Sequence, residues 1–343
     1  MKNLLNILKY ALLLAISGLL MAYAIRGQDL SRIGQTLREA NYGWLTLTLA
    51  LSTTGYFSRA YRWKMQLDSA TTTTARARYA DVYHAMMVGY LANLVLPRMG
   101  EVIRCSVLRR TSRVPVEVSL GTVVAERIID VVVLLSLLGA TLLVDFDKFW
   151  AWVTDWLVSG RYDALARNRN VLLVAAILVL LLLAGALFGL LRNLERLRQN
   201  AFFNRLVGFA RGMLAGVFSV LKMERKGLFL FHTCYTWLIY FLSSYLAFFA
   251  FPETSGLGLG AGLAVLTFGA FGMAAPVSGG IGTFHLLVQS TLLVYGISKG
   301  GGIAYALVAH GSQTLLVVLM GGISFVASMA RAGNPVNALE IKQ

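Results

Sequence analysis

Apolar residues fall in blocks at roughly 4–25, 42–58, 118–144, 171–191, 228–250 and 303–328. A helix needs about 20 such residues to cross the roughly 30 Å hydrocarbon core of a bilayer, so each block predicts a full span. Two further stretches, 81–110 and 257–297, are apolar but broken by Pro and Gly. The first turns at Leu96-Pro97-Arg98-Met99-Gly100 and the second at Ala275-Pro276-Val277-Ser278-Gly279-Gly280-Ile281-Gly282. Irregular backbone at membrane depth is tolerated only where protein buries it or it lines a wet cavity. Two broken segments, one entering from each face, point to an inverted repeat around a central site. The predicted fold is therefore all-α, a single polytopic membrane bundle over 1–343 with about six full spans and two re-entrant segments. Half 1 covers about 1–145 with re-entrant 81–110, and half 2 about 228–328 with re-entrant 257–297.

Charge orients this arrangement. If 1–24, 59–117, 192–227 and 329–343 are inside, they hold a net charge equal to the +15 of the whole chain. By the positive-inside rule both termini are then cytoplasmic. The segment 81–97 has basic loops on both sides, Arg59, Arg62, Lys64, Arg76 and Arg78 before it and Arg104, Arg109, Arg110 and Arg113 after it. A full crossing would put one set outside, so the segment is expected to dip in from the cytoplasm and return. Within 192–227, Phe202, Leu206, Phe209, Met213 and Val217 recur at helical spacing with Arg205 and Arg211 between them. That pattern predicts an amphipathic helix over about 195–225, in the inner headgroup layer or packed on the bundle. Lys2 and Lys9 followed by an apolar run ending in Ala22-Tyr23-Ala24 resemble a signal peptide, but a retained first helix is expected.

Composition narrows the function classes. The chain is 57% hydrophobic and 14% charged, far from the roughly 25% charge of soluble domains, which excludes a soluble enzyme, a disordered tail and a coiled coil. With the basic excess assigned to cytoplasmic loops and anionic lipid, nucleic acid is not an expected partner. Cys105 and Cys234 form no CxxC, and His84, His232, His285 and His310 have no metal-ligand spacing, so neither a metal nor a cofactor is expected. P-loop and HExxH patterns are absent from the sequence.

Three clusters do not belong in an apolar slab. Glu126, Arg127 and Asp130 lie inside the span 118–144. A charge at a helix centre costs about 2.5–3.5 kcal/mol on insertion scales, so these residues must face the protein or a wet cavity, as an internal salt bridge or as a site. Arg98, Glu101 and Arg104 follow the first turn, where an arginine fork suits a phosphate. Asn93 is a further polar candidate there. Ser278, Gly279, Gly280, Gly282, Thr283 and His285 open the helix after the second turn. There Ser278 or Thr283 is expected to cap, and glycines let amides approach an anion at the positive end of the dipole.

Ser58-Arg59-Ala60-Tyr61-Arg62-Trp63, Leu96-Pro97-Arg98-Met99-Gly100-Glu101 with Arg104, Glu126-Arg127 with Asp130, and Pro276 to Gly282 together resemble the membrane domain of lysylphosphatidylglycerol synthases, a bacterial family of flippase-like proteins. The resemblance covers nearly the whole chain and adds Arg59 and Arg62 as secondary site residues. It implies about eight membrane segments with re-entrant helices, moving or presenting an anionic lipid in the bacterial inner membrane. Family members often carry an acidic residue where this chain has His285. Only 329–343 follow the last predicted span, so the aminoacyl transfer of the synthases is not expected of this chain.

The expected function is binding and translocation of an anionic phospholipid or polyprenyl-phosphate lipid, not enzymatic, with Arg98, Arg127 and the 279–282 backbone as headgroup contacts. The alternative is a non-transporting partner that presents a lipid-linked substrate to a separate lipid-modifying enzyme such as a glycosyltransferase. An embedded transferase would have to draw its base from Glu101, Glu126, Asp130 or His285, and ranks last.

Overall fold

Among the described residues, apolar runs without Pro such as 118–144 and 303–328 lie in long helices, and the runs broken by Pro and Gly form helical hairpins. The computed structural model describes residues 15–70, 77–151, 208 and 223–332. In chain order the helices are α1 (Ala15–Ile25), α2 (Leu30–Glu39), α3 (Tyr42–Ala70), α4 (Tyr79–Val95), α5 (Gly100–Ser112), α6 (Val116–Val144), α7 (Lys226–Leu246), α8 (Leu259–Ala274), α9 (Thr283–Val294) and α10 (Lys299–Ala332). No strand occurs among the described residues. The chain divides into two compact units, 1–144 with 213–343 and 145–212, and all ten helices belong to the first. The predicted span 171–191 lies outside the described residues, as does nearly all of the amphipathic helix expected over 195–225.

Helix α6, α7 with its 3-10 extension to Ala250, and α10 are long and apolar enough to cross a membrane. Their polarity is turned outside in. On α6, Ile128, Val131, Val132 and Leu135 are exposed while Ser119, Thr122, Glu126 and Thr141 are buried. On α10, Leu315, Leu319, Ile323 and Val326 face out while His310, Ser324 and Ser328 are buried. An apolar exterior over a polar interior is stable where lipid replaces water as the solvent.

Two elements differ from the expectation. The second span does not stop near residue 58, because α3 continues to Ala70. No Gly or Pro interrupts Tyr56–Ala70, and the arginines assigned there to a cytoplasmic loop find buried carboxylate partners instead. The segment 25–41, which joins the first two predicted spans and carries no predicted element, contains α2, whose Ile33 is buried against Ala24, Ile303 and Ala304.

The helices pack in a repeating pattern. α3 lies antiparallel to α7, with Ser52 Oγ 3.1 Å from Ser243 Oγ, Gly55 against Ile239, and Ser58 Oγ 2.9 Å from His232 Nδ1. Exchanging α3–α6 with α7–α10 maps the principal contacts onto one another: α4 on α10 becomes α8 on α6, and α5 on α6 becomes α9 on α10. An operation that exchanges two antiparallel helices is a two-fold axis perpendicular to them. The contacts of α3 with α6, and of α3 and α5 with α10, are exceptions, having no equally extensive counterparts between α7 and α10 or between α6 and either α7 or α9.

Both broken stretches fold as hairpins whose arms have 17 and 13 residues, or 16 and 12. At 1.5 Å per residue these arms span about 18–26 Å, short of the roughly 30 Å core. In the first, Gly89 and Gly100 bring the backbones together, and the Gly100 N–H donates to Asn93 Oδ1 at 2.7 Å. In the second, Gly272 abuts the backbone of Phe284, and Thr283 Oγ1 donates to the Gly272 carbonyl at 2.7 Å. The two turns meet, since Gly279 packs against Leu94.

Candidate lipid-headgroup site

The site forms where α3, α5 and α6 converge. Arg59 and Arg62 are three residues apart on α3, Arg104 projects from α5, and Glu126 and Asp130 are four apart on α6, so each helix turns its charges to one side. Glu126 is the hub, with 0% exposure. Its Oε1 accepts from Arg59 Nε at 2.8 Å and Arg62 Nη2 at 3.2 Å, and its Oε2 accepts from Arg104 Nη2 at 2.8 Å. Asp130 accepts from Arg59 Nη2 at 3.0 Å and from Arg62 Nη2 at 2.9 Å. At the rim, the half-exposed Arg127 stands 3.8 Å from Glu101 and 3.9 Å from Asp130.

A second layer fixes these groups. Arg59 Nη1 donates to Tyr240 Oη at 2.8 Å, and its guanidinium lies 5.7 Å from the Tyr90 ring centroid. The Arg104 guanidinium lies 4.4 Å from the centroid of the Trp63 ring, whose Nε1 donates to Thr122 Oγ1 at 2.9 Å. Stacking on an aromatic face holds a guanidinium in position without consuming its N–H donors.

The charges do not cancel. Arg59, Arg62, Arg104 and Arg127 face Glu101, Glu126 and Asp130, an excess of one positive charge. Arg62 Nε and Arg104 Nε and Nη1 are buried donors without a hydrogen-bond partner. Taking an ion out of water costs several kcal/mol, and an unpaired buried donor adds about 1–3 kcal/mol, so these donors leave the cluster with unused hydrogen-bonding capacity, beside which Glu101 Oε2 is a buried acceptor without a partner. Phosphate oxygens match such donors in charge and in fork geometry.

The second turn is organised differently. Gly279, Gly280 and Gly282 have φ of 55°, 74° and 87°, a left-handed run suited to glycine. The cap expected from Ser278 or Thr283 does not form, because Thr283 Oγ1 donates to the carbonyls of Gly272 and Gly280, and Gly282 occupies the cap position. The amides of Ser278, Gly280, Ile281 and Gly282 donate to Ser17 Oγ, the Val277 and Ser278 carbonyls, and His285 Nδ1. These four amides therefore have acceptors within the protein. The rings of His285 and His310, both buried, are 5.0 Å apart.

The structure thus joins Arg59, Arg62, Glu101, Arg104, Glu126, Arg127 and Asp130 in one cluster and gathers Ser278 to His285 in the other turn. Asn93 closes its own hairpin, and Arg98 is exposed at the turn with φ 63°, without an ion pair among the described residues. The expectation ranked Arg98 and Arg127 above Arg59 and Arg62, whereas Arg59 and Arg62 are the buried partners of Glu126. Sequence reasoning did not single out Tyr90, Tyr240 or Thr122. Aromatic and hydroxyl residues inside apolar runs carry no signal until a guanidinium or an indole N–H is placed beside them. No group of three metal-ligating side chains occurs among the described residues.

A family profile described as the lysylphosphatidylglycerol synthase TM region matches residues 10–321. The chain belongs to this family. The family is a membrane domain linked to lipid handling, and with its apolar helices the chain is a multi-pass membrane protein. No curated protein and no solved structure matches it.

Proposed function

We propose that this domain binds an anionic membrane lipid by its phosphate at the arginine cluster and carries it between the leaflets of the bacterial inner membrane, with both termini cytoplasmic. The observation that carries this reading is the buried excess of guanidinium over carboxylate, with Arg62 and Arg104 retaining unpartnered donors. A phosphodiester of charge −1 neutralises the site's +1, and a neutral complex avoids most of the cost of moving charge through an apolar slab. Glu126 and Asp130 hold the arginines apart and poised while the site waits for lipid. The hairpins α4–α5 and α8–α9 act as re-entrant elements of an inverted repeat, and rocking of one half against the other changes which leaflet the site faces. The acyl or prenyl tails stay in lipid throughout, and the chain performs no covalent chemistry.

Proteoliposomes with fluorescent phosphatidylglycerol test this reading. The intact protein moves label between leaflets, and Arg62→Gln and Arg104→Gln slow it at least about tenfold, equivalent to roughly 1.4 kcal/mol. Unchanged rates in both variants overturn the site. Anionic lipid retained through purification without any translocation would favour a protein that presents lipid to a separate enzyme.

A further inference from the structure

Beside the arginine cluster, α3, α7 and the start of α4 enclose an open groove of about 430 Å³. Its walls are rings from Phe57, Tyr61, Tyr79, Phe231 and Tyr235, and Ser58 and His232 form its floor. The polar atoms of the lining are largely turned on one another. Tyr235 Oη donates to Thr54 Oγ1 at 2.9 Å, Tyr79 Oη donates to the Phe57 carbonyl at 3.0 Å, and Ser58 Oγ lies 2.9 Å from His232 Nδ1. What the groove offers a ligand is ring faces, and none of its lining residues is Asp, Glu, Lys or Arg.

We propose that this groove holds one hydrocarbon chain of the lipid whose phosphate docks at the arginine cluster, an inference that rests on the proposed function. Two observations select that occupant. α7 is one of the helices apolar and long enough to cross a membrane, and Phe57 and Phe231 of the lining are exposed on the outside of the bundle, which suits a hydrocarbon occupant. Its floor adjoins the cluster: Arg59 follows Ser58, Arg62 is one turn further along α3, and Arg62 Nη1 reaches Thr233 Oγ1, the residue after His232, at 3.5 Å. One turn of helix is about 5.4 Å, within the distance between a lipid phosphate and the start of its chains. Aromatic boxes also take quaternary ammonium groups, but Arg62 beside the floor repels a cation.

Photolabelling of the full chain tests the groove. The probe is phosphatidylglycerol with a diazirine on one acyl chain, in nanodiscs of phosphatidylcholine, with adducts mapped by mass spectrometry. Labelling of Thr54–Tyr61 and Phe231–Tyr235 is expected to exceed that of the outward face of α10 by about fivefold, a preference near 1 kcal/mol. It falls to the α10 level in Thr54→Trp and in Phe231→Trp, which fill the groove from opposite walls. Uniform labelling of the unmutated protein overturns the groove. Retention of phosphatidylglycerol over phosphatidylcholine through purification reads the headgroup site separately. Selective retention with uniform labelling overturns the groove alone, whereas equal retention with groove labelling overturns the arginine site and the joining of both ends by one lipid.

Discussion

The second arm of the α4–α5 hairpin carries Glu101, Arg104, Arg109 and Arg110, whereas the α8–α9 hairpin has no Asp, Glu, Lys or Arg between Leu259 and Val294. Both have short arms, a glycine crossing close to the turn and a place against a long helix, α10 or α6. They are fastened by different forces. The first hairpin is tied to α6 by the bond of Arg104 to Glu126, strong only while both charges are present. The second is held by close packing at Gly272 and by the hydroxyl of Thr283. Packing is set by shape, while a buried ion pair answers to any competing charge, so a competing anion would loosen the first hairpin and not the second.

Glu126→Gln should separate the two most strongly. Breaking a buried ion pair by removing one partner costs about 3–5 kcal/mol, so a large fall in Tm is expected, with hydrogen exchange rising in α5 before α9. Equal exchange in both hairpins would mean that Glu126 does not hold the first one. Gly272→Leu is the mirror experiment: its side chain meets the backbone of Phe284. Overpacking of this kind costs about 1–3 kcal/mol, and exchange should rise in α9 while α5 keeps its protection.

Smaller effects sharpen the comparison at the turns. Asn93→Ala strands the Gly100 amide in the first hairpin, and Thr283→Val removes two hydrogen bonds in the second. Each should lower stability by about 1 kcal/mol, read as matched shifts in Tm, because these fasteners are alike where the larger ones are not. Smallest of all, Arg98→Gly relieves a left-handed residue and should change stability by less than about 1 kcal/mol. If its lipid movement also matches that of the unmutated protein, Arg98 has no part in the site; a tenfold loss at unchanged Tm would restore it.

Much of this was legible without coordinates, for reasons that differ by element. Both hairpin turns were marked by Pro and Gly at Pro97–Gly100 and Pro276–Gly282, because backbone that leaves the helix at membrane depth needs those residues. Glu126 and Asp130 were conspicuous because their charge is costly in an apolar run. The length of α3 was not legible, since Arg59, Arg62, Lys64 and Asp68 read as the end of a span until two of the arginines are seen paired. The amides of the second turn were legible as a glycine run, but their orientation toward Ser17 Oγ and His285 Nδ1 was not.

The sequence by itself determined a helical membrane protein, the places where its helices break, and the few charges that need a partner. These follow from local rules: the length of an apolar run, the backbone freedom of glycine and the cost of an ion in hydrocarbon. Only the tertiary structure decided that Glu126 is met by Arg59 and Arg62 rather than Arg98, and that the two turns touch at Gly279 and Leu94. Glu126 lies 67 residues from Arg59. Which of several arginines meets it depends on helix rotation and crossing angle, and these are set by the packing of the whole bundle rather than by any segment within it.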